Sequence, residues 1–154
     1  SGHPVSTNLF ALEEMQDMGH IRFSREADLV VVAPASANII ARMAQGIADD
    51  MATATLLANN QKLIVAPAMN TYMWVHPATQ RNVAQIIADG AEIIEPREGL
   101  LACGEVGAGR MAEPDDIVQA IEQRLSAKQV LKGKRILVTA GPTYEAIDPV
   151  RFIG

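Results

Sequence analysis

The chain has 154 residues, 49% of them hydrophobic and 20% charged, which fits one ordinary globular domain with a real core. Thirteen basic against eighteen acidic residues leave a formal net charge of −5, so nothing draws the chain generally to nucleic acid or to an acidic membrane. No apolar run approaches the roughly 20 residues of a membrane helix, no secretory leader is visible, and a single cysteine rules out an internal disulfide; together these point to a reducing, cytoplasmic setting.

The first strand signal is Leu29 to Ala33 (LVVVA), a short continuous apolar run of the kind buried on both faces. Ala37 to Ala48 and Met51 to Ala58 follow as apolar-rich helical patterns. Leu63 to Ala66 (LIVA) is the second strand. Pro77 to Ala88 opens with a proline, which suits a first helical turn. Ala91 to Ile94 is the third strand, and Asp115 to Leu125 places Ile117, Val118, Ile121 and Leu125 on one helical stripe. Ser126 to Gly133 (SAKQVLKG) has the look of a linker, and Ile136 to Thr139 (ILVT) is a fresh strand. Alternating strands and helices predict an α/β fold with a mainly parallel sheet. The 21 residues from Lys134 to Gly154 are too few for a core of their own. The expected organisation is one domain over 1–125, a linker over 126–133, and the start of a second domain over 134–154.

In such sheets ligands bind beyond the carboxyl ends of the strands, and the polar motifs fall there. Ser36 and Asn38, in PASAN, stand where a strand gives way to a helix. They serve equally as simple N-caps or, with free backbone N–H groups, as a cradle for a phosphate or a polar ring edge. Pro67 to Trp74 (PAMNTYMW) is dense in unusual residue types. Asn70 suits either capping or an amide contact to a carboxylate, while Met69, Met73 and Trp74 read as packing. His20, in DMGHI, has the titration range for proton handling but reads as readily as structural, and His3 and His76 read as solvated or surface groups. No histidine pair has metal-ligand spacing, so no metal site is expected. Gly141 to Asp148 is a strand-then-turn segment with two carboxylates and no P-loop ending. Cys103 sits in LLACGEVGAGRM, followed by Gly104, Gly107 and Gly109. It is either a buried structural thiol or a reactive one on a flexible, glycine-rich flap.

These motifs together resemble the bacterial bifunctional coenzyme A biosynthesis flavoproteins. Those proteins join a phosphopantothenoylcysteine decarboxylase to a phosphopantothenate–cysteine ligase. The decarboxylase part belongs to the homo-oligomeric flavin-containing cysteine decarboxylases, which have a Rossmann-like (flavodoxin-like) parallel sheet with flanking helices. PASANIIARMAQGIADDM is similar to the family's flavin-binding segment, PAMNTYMW to its substrate-binding motif, ACGEVGAGRM to its substrate-recognition flap, DMGHI to the segment carrying its active-site histidine, and VTAGPTYEAIDPVRFIG to the opening of the ligase domain. The family's first strand and phosphate-binding loop would precede Ser1, and its ligase domain would run on beyond Gly154. At Ile39 the family often has threonine.

The resemblance implies FMN-dependent decarboxylation of 4′-phosphopantothenoylcysteine to 4′-phosphopantetheine. The thiol-bearing carbon is oxidised, carbon dioxide leaves an enethiolate, and a proton and hydride then return. By position, Ser36, Ala37, Asn38, Ile39 and Ala68 would contact FMN. Asn70 would bind the substrate carboxylate, with Ala102, Cys103 and Gly104 contacting substrate from the flap. His20 would be the active-site base or positioning group, and Cys103 the proton donor to the enethiolate. The partners implied are a small-molecule substrate and further copies of the chain, in a homotrimer or higher assembly. CTP and Mg2+ would serve the ligase domain of a longer parent. A related peptidyl-cysteine decarboxylase, a regulatory subunit and a non-catalytic fragment are the alternatives.

Overall fold

The computed structural model describes residues 24–101 and 104–126, together with the backbone of three short strands in the last twenty residues. In chain order the elements are β1 (Leu29–Ala35), α1 (Ala37–Gln45), α2 (Met51–Leu57), β2 (Lys62–Pro67), α3 (Thr71–Val75), α4 (Pro77–Ala88), β3 (Ala91–Ile93), β4 (Arg97–Leu100), β5 (Val106–Arg110), α5 (Pro114–Leu125), β6 (Ile136–Thr139), β7 (Glu145–Ala146) and β8 (Phe152–Ile153).

Strands β3, β2, β1 and β6 form a parallel sheet in that order. The β1–β2 register runs from Leu29 opposite Lys62 to Val32 opposite Val65, then shifts and resumes at Ala35 opposite Pro67. Pro34 lies in the shifted stretch, where a residue without an N–H cannot donate to a ladder. Ile136–Thr139, expected as the opening strand of a second domain, pairs in parallel with β1 from Leu29–Ile136 to Val32–Thr139 and is the outermost of the described strands on that side.

The run LVVV is apolar without alternation because both of its faces are covered. Val30 and Val32 point into one cluster with Ile40 of α1, Leu56 of α2, Val65 of β2, and Val83 and Ile86 of α4. Leu29 and Val31 point into the other, with Ile64 and Ala66 of β2 and Ile117 and Leu125 of α5. All four residues of the run are fully buried. Each such aliphatic side chain contributes about 1.5–3 kcal/mol relative to exposure, so this strand is the axis of the core.

Helix boundaries follow local chemistry. The first helix ends at Gln45, short of the expected Ala48, because Gly46 turns left-handed at φ 68° and returns its N–H to the carbonyls of Arg42 and Met43. Arg42 then bridges the corner, with Nη1 at 2.9 Å from Asp49 and 2.5 Å from Asp50. Asp50 caps α2 through the N–H and hydroxyl of Thr53. Desolvation would raise the Asp50 pKa, but the Thr53 hydrogen bonds and the Arg42 charge outweigh it and hold it below 3.8. Its contribution to stability is therefore present above that value and lost as pH falls through the lower folded value. The stripe expected on α5 is corrected at one position: Ile117 and Leu125 are buried, but Val118 is 52% exposed.

Ile64→Ala in the centre of the sheet should cost about 2–5 kcal/mol, and Val118→Ala less than about 0.5 kcal/mol. Thermal unfolding of the two variants checks this, and equal losses would contradict the two-faced core.

Candidate functional site

Strands β1 and β2 end at the same edge of the sheet, and the two loops leaving them are stitched together. The N–H of Ala68 donates to the carbonyl of Ala35 at 3.0 Å. Just beyond Ala35, Ser36 caps α1, its Oγ accepting from the N–H of Ile39 at 3.3 Å while its carbonyl accepts from Ile40. An α-helix leaves its first amides without partners in its own turn, so those of Ala37 and Asn38 stand at this edge as donors. Asn38 is exposed and Ala37 half-buried. Ile39 spends its N–H on the cap and packs its side chain against the core cluster, which leaves it less to offer a ligand than its neighbours.

Asn70 caps a helix through one end of its amide and pairs with a carboxylate through the other. Its Oδ1 accepts from the N–H of Tyr72 at 2.8 Å, which turns Nδ2 outward as a donor. Nδ2 meets the carboxylate of Glu105 at 2.5 Å. Met69 and Trp74 pack against the core, as expected of packing residues, whereas Met73 is 40% exposed.

The glycine-rich stretch expected as a flexible flap contains an antiparallel hairpin, β4 against β5, with Gly99 opposite Gly107 and Leu100 opposite Val106. Two of its glycines are sites of close approach. A Cβ on Gly109 would lie 2.3 Å from the carbonyl oxygen of Met69, and one on Gly107 would lie 2.5 Å from Oγ1 of Thr71. The carbonyl of Gly109 in turn accepts from the N–H of Met69 at 3.0 Å. The hairpin base is further held by Arg97–Asp116 and Arg110–Glu113 ion pairs, each 2.7 Å. At the tip, Leu101 N–H donates to Glu105 and Gly104 N–H to Leu101, closing a turn. Gly104 is exposed there, with φ 83°. Three of the motifs read from sequence thus meet at one edge. His20, Ala102, Cys103 and the Gly141–Thr143 turn lie outside the described residues.

Sequence reasoning missed two participants. Glu105 carried no signal beyond its place in the flap, and Thr71 none beyond its place in PAMNTYMW. The Thr71 hydroxyl is buried without a hydrogen-bond partner among the described residues. Apolar surface surrounds the site: Tyr72 and Val106 are 75% and 79% exposed, and Val75 and Leu100 are exposed beside them. A concavity of about 310 Å³, lined in part by Met43, Gly46, Leu57, Leu63 and Gly90, lies at the opposite edge, where β2 and β3 begin; it meets α1 at its far end and none of the residues at the stitched edge. Among the described residues there is no cluster of metal-ligating side chains, and no helix is long and apolar enough to cross a membrane.

A family model described as "Flavoprotein" matches residues 3–126. The chain belongs to the flavoprotein family. A second model, "DNA/pantothenate metabolism flavoprotein C-terminal domain", matches residues 131–154. The coenzyme A biosynthesis bifunctional protein CoaBC of Bacillus subtilis (strain 168) is 49% identical over 154 residues, covering 99% of this chain and 38% of the relative. Its counterpart from Mycobacterium tuberculosis (strain ATCC 25618 / H37Rv) is 47% identical over 158 residues, covering 100% of this chain and 37% of the relative. The chain therefore spans under two-fifths of the length of these curated relatives. Among solved structures, a PPC decarboxylase mutant complexed with pantothenoylaminoethenethiol matches with TM-score 0.69 and 38% identity, over 70% of this chain and 60% of that one. The FMN binding protein AtHal3 matches with TM-score 0.70 and 35% identity, over 80% and 70%. The fold is thus the Rossmann-like, flavodoxin-like parallel sheet with flanking helices expected from the resemblance.

Gly109→Ala should displace the hairpin from the 67–71 loop. Gly90 has a comparable φ of 101° but no atom within 4 Å of an added Cβ. Gly90→Ala should therefore cost only the backbone strain of about 1–3 kcal/mol. Gly109→Ala should cost more and speed proteolytic cleavage within 97–110. Equal losses, with cleavage unchanged, would contradict the close-approach assignment.

Proposed function

We propose that this chain is the decarboxylase portion of a bifunctional coenzyme A biosynthesis protein, removing carbon dioxide from 4′-phosphopantothenoylcysteine to give 4′-phosphopantetheine. The observation that carries this reading is the identity with the Bacillus subtilis relative along almost the whole chain. The stitched edge supports it with a donor set of suitable chemistry. The first-turn amides of α1, the Ser36 hydroxyl and the Asn38 amide fit the acceptor atoms of FMN. When bound there, FMN supplies the redox chemistry, taking electrons from the thiol-bearing carbon and returning them after carbon dioxide leaves.

The chain's own residues do the rest. Ser36, Ala37, Asn38 and Ala68 hold the cofactor, with Ile39 backing it through the α1 cap. Asn70 presents Nδ2 to the substrate carboxylate. A neutral amide orients that group without a full ion pair, so little binding energy is forfeited when the charge leaves as neutral carbon dioxide. Cys103, a thiol with a reference pKa of about 8.5, is mostly protonated at neutral pH and donates the proton that completes the product. Ala102 and Gly104 contact substrate through the backbone, and His20 positions the reacting end or takes its proton. The exposed Tyr72, Val75, Leu100 and Val106 suit burial against further copies of the chain, as a homotrimer or higher assembly. Residues 131–154 begin a ligase domain that, in the longer parent, uses CTP and Mg2+. The setting is the cytoplasm.

A peptide ending in cysteine is the alternative substrate. The match of residues 131–154 to a pantothenate-metabolism domain favours the coenzyme A substrate. Cys103→Ser in the full-length, FMN-loaded protein should still release carbon dioxide, while formation of 4′-phosphopantetheine falls on the order of 100-fold or more. Full conversion to 4′-phosphopantetheine by that variant would remove the donor role. A parent that acts only on cysteine-ended peptides would replace the substrate.

A further inference from the structure

The Asn70 side chain is engaged at both ends. Its Oδ1 is fixed by the N–H of Tyr72, and Nδ2 is spent on Glu105, a residue 35 positions away at the hairpin tip. Glu105 is exposed, so burial does not force it there. Nor does the hairpin need this contact to dock. Its β5 strand is already fastened by the Met69–Gly109 main-chain bond and the close approach of Gly107 and Gly109, and its base by two ion pairs. The Glu105 contact acts at the other end, on the turn closed by Leu101 and Glu105.

The geometry points to Glu105 as an internal competitor for the carboxylate subsite: a latch that fills Asn70 when substrate is absent and yields when a substrate carboxylate arrives. This rests on the decarboxylase reading, which gives Asn70 a carboxylate to bind. Glu105 offers Asn70 the same chemical group that the substrate would. A primary amide has two N–H donors, but two carboxylates on one nitrogen repel each other, so one displaces the other. Displacement releases the Glu105 end of the hairpin tip from Asn70. A ligand without a carboxylate has no means of displacing Glu105. When carbon dioxide departs, Glu105 returns to Asn70, and the decarboxylated product no longer holds that contact.

A latch engaged in roughly 70–90% of empty sites raises the apparent KM for a carboxylated ligand by about 3- to 10-fold, since only the remaining sites are competent. In the full-length, FMN-loaded protein, Glu105→Ala should lower KM for 4′-phosphopantothenoylcysteine by about that factor. The inhibition constant of 4′-phosphopantetheine, which lacks the carboxylate, should stay unchanged. Glu105→Gln, which keeps the acceptor and loses the charge, should fall between. Equal shifts for both ligands, or a raised KM for the carboxylated one, would overturn the latch while leaving the decarboxylase reading intact. A wild-type parent that releases no carbon dioxide from this substrate would remove that reading, and the competitor role with it. In ligand-free protein, Glu105→Ala should accelerate amide exchange over 97–110, and adding it to Asn70→Ala, which also removes the Tyr72 cap, should accelerate exchange there no further. Additive effects would show that the two residues act separately and would also overturn the proposal.

Discussion

Two main-chain hydrogen bonds decide what this sheet edge is. The Ala68 N–H reaches the Ala35 carbonyl, and the Met69 N–H reaches the Gly109 carbonyl. Through two consecutive amides, the 67–70 loop holds the loop after β1 on one side and the hairpin on the other. Everything assigned to the site depends on that junction. The Ser36 cap and the α1 amides are carried by the first loop, Asn70 by the second, and Glu105 by the hairpin. The second bond constrains sequence more severely than the first. It brings two backbones so close that position 109 has no room for a Cβ, and Gly107 meets Thr71 just as tightly. Gly107 and Gly109 are there for contact, and the hairpin is a docked element carrying a small turn at its tip.

The core behind the junction supplies its rigidity. Strand β1 places alternate residues in two separate apolar clusters, so its end cannot drift without disturbing helices on both faces of the sheet. The Arg42 bridge to Asp49 and Asp50 fixes the far end of α1 and the start of α2. Such half-exposed pairs each contribute about 0–1 kcal/mol, so their effect is to set a corner more than to add stability. The site edge gathers the polar motifs, while the opposite edge opens into a concavity lined by both apolar and polar side chains, Leu57 and Leu63 beside Asn59 and Asp89. Parallel strands explain the asymmetry, since the carboxyl ends of all of them gather on one side.

Much of this was legible in the sequence, for physical reasons that differ between segments. LVVV and LIVA announce themselves because strands covered on both faces need no polar positions. Pro77 at the first turn of α4 fixes that helix at Pro77–Ala88, as expected. The hairpin was not legible: β5 reads VGAGR, without the alternating or β-branched pattern of a strand, because its form is dictated by the loop it lies on. Helix α3, only five residues long, is too short to show a period. Val118 fits the stripe of its helix by spacing, yet it faces solvent while Ile117, one position away, takes the buried side. At Asn70 the sequence left capping and carboxylate binding as alternatives, and the structure joins them, because capping through Oδ1 is what turns Nδ2 outward.

On this reading the stitched edge, and not the concavity opposite, receives the cofactor. Amide hydrogen exchange of the full-length protein with and without FMN tests it most directly. FMN should slow exchange at residues 35–38 and 68–70 together and leave Gly46 and Gly90 at the opposite edge unchanged. Slowed exchange around Gly46 and Gly90, with none at 35–38, would contradict it.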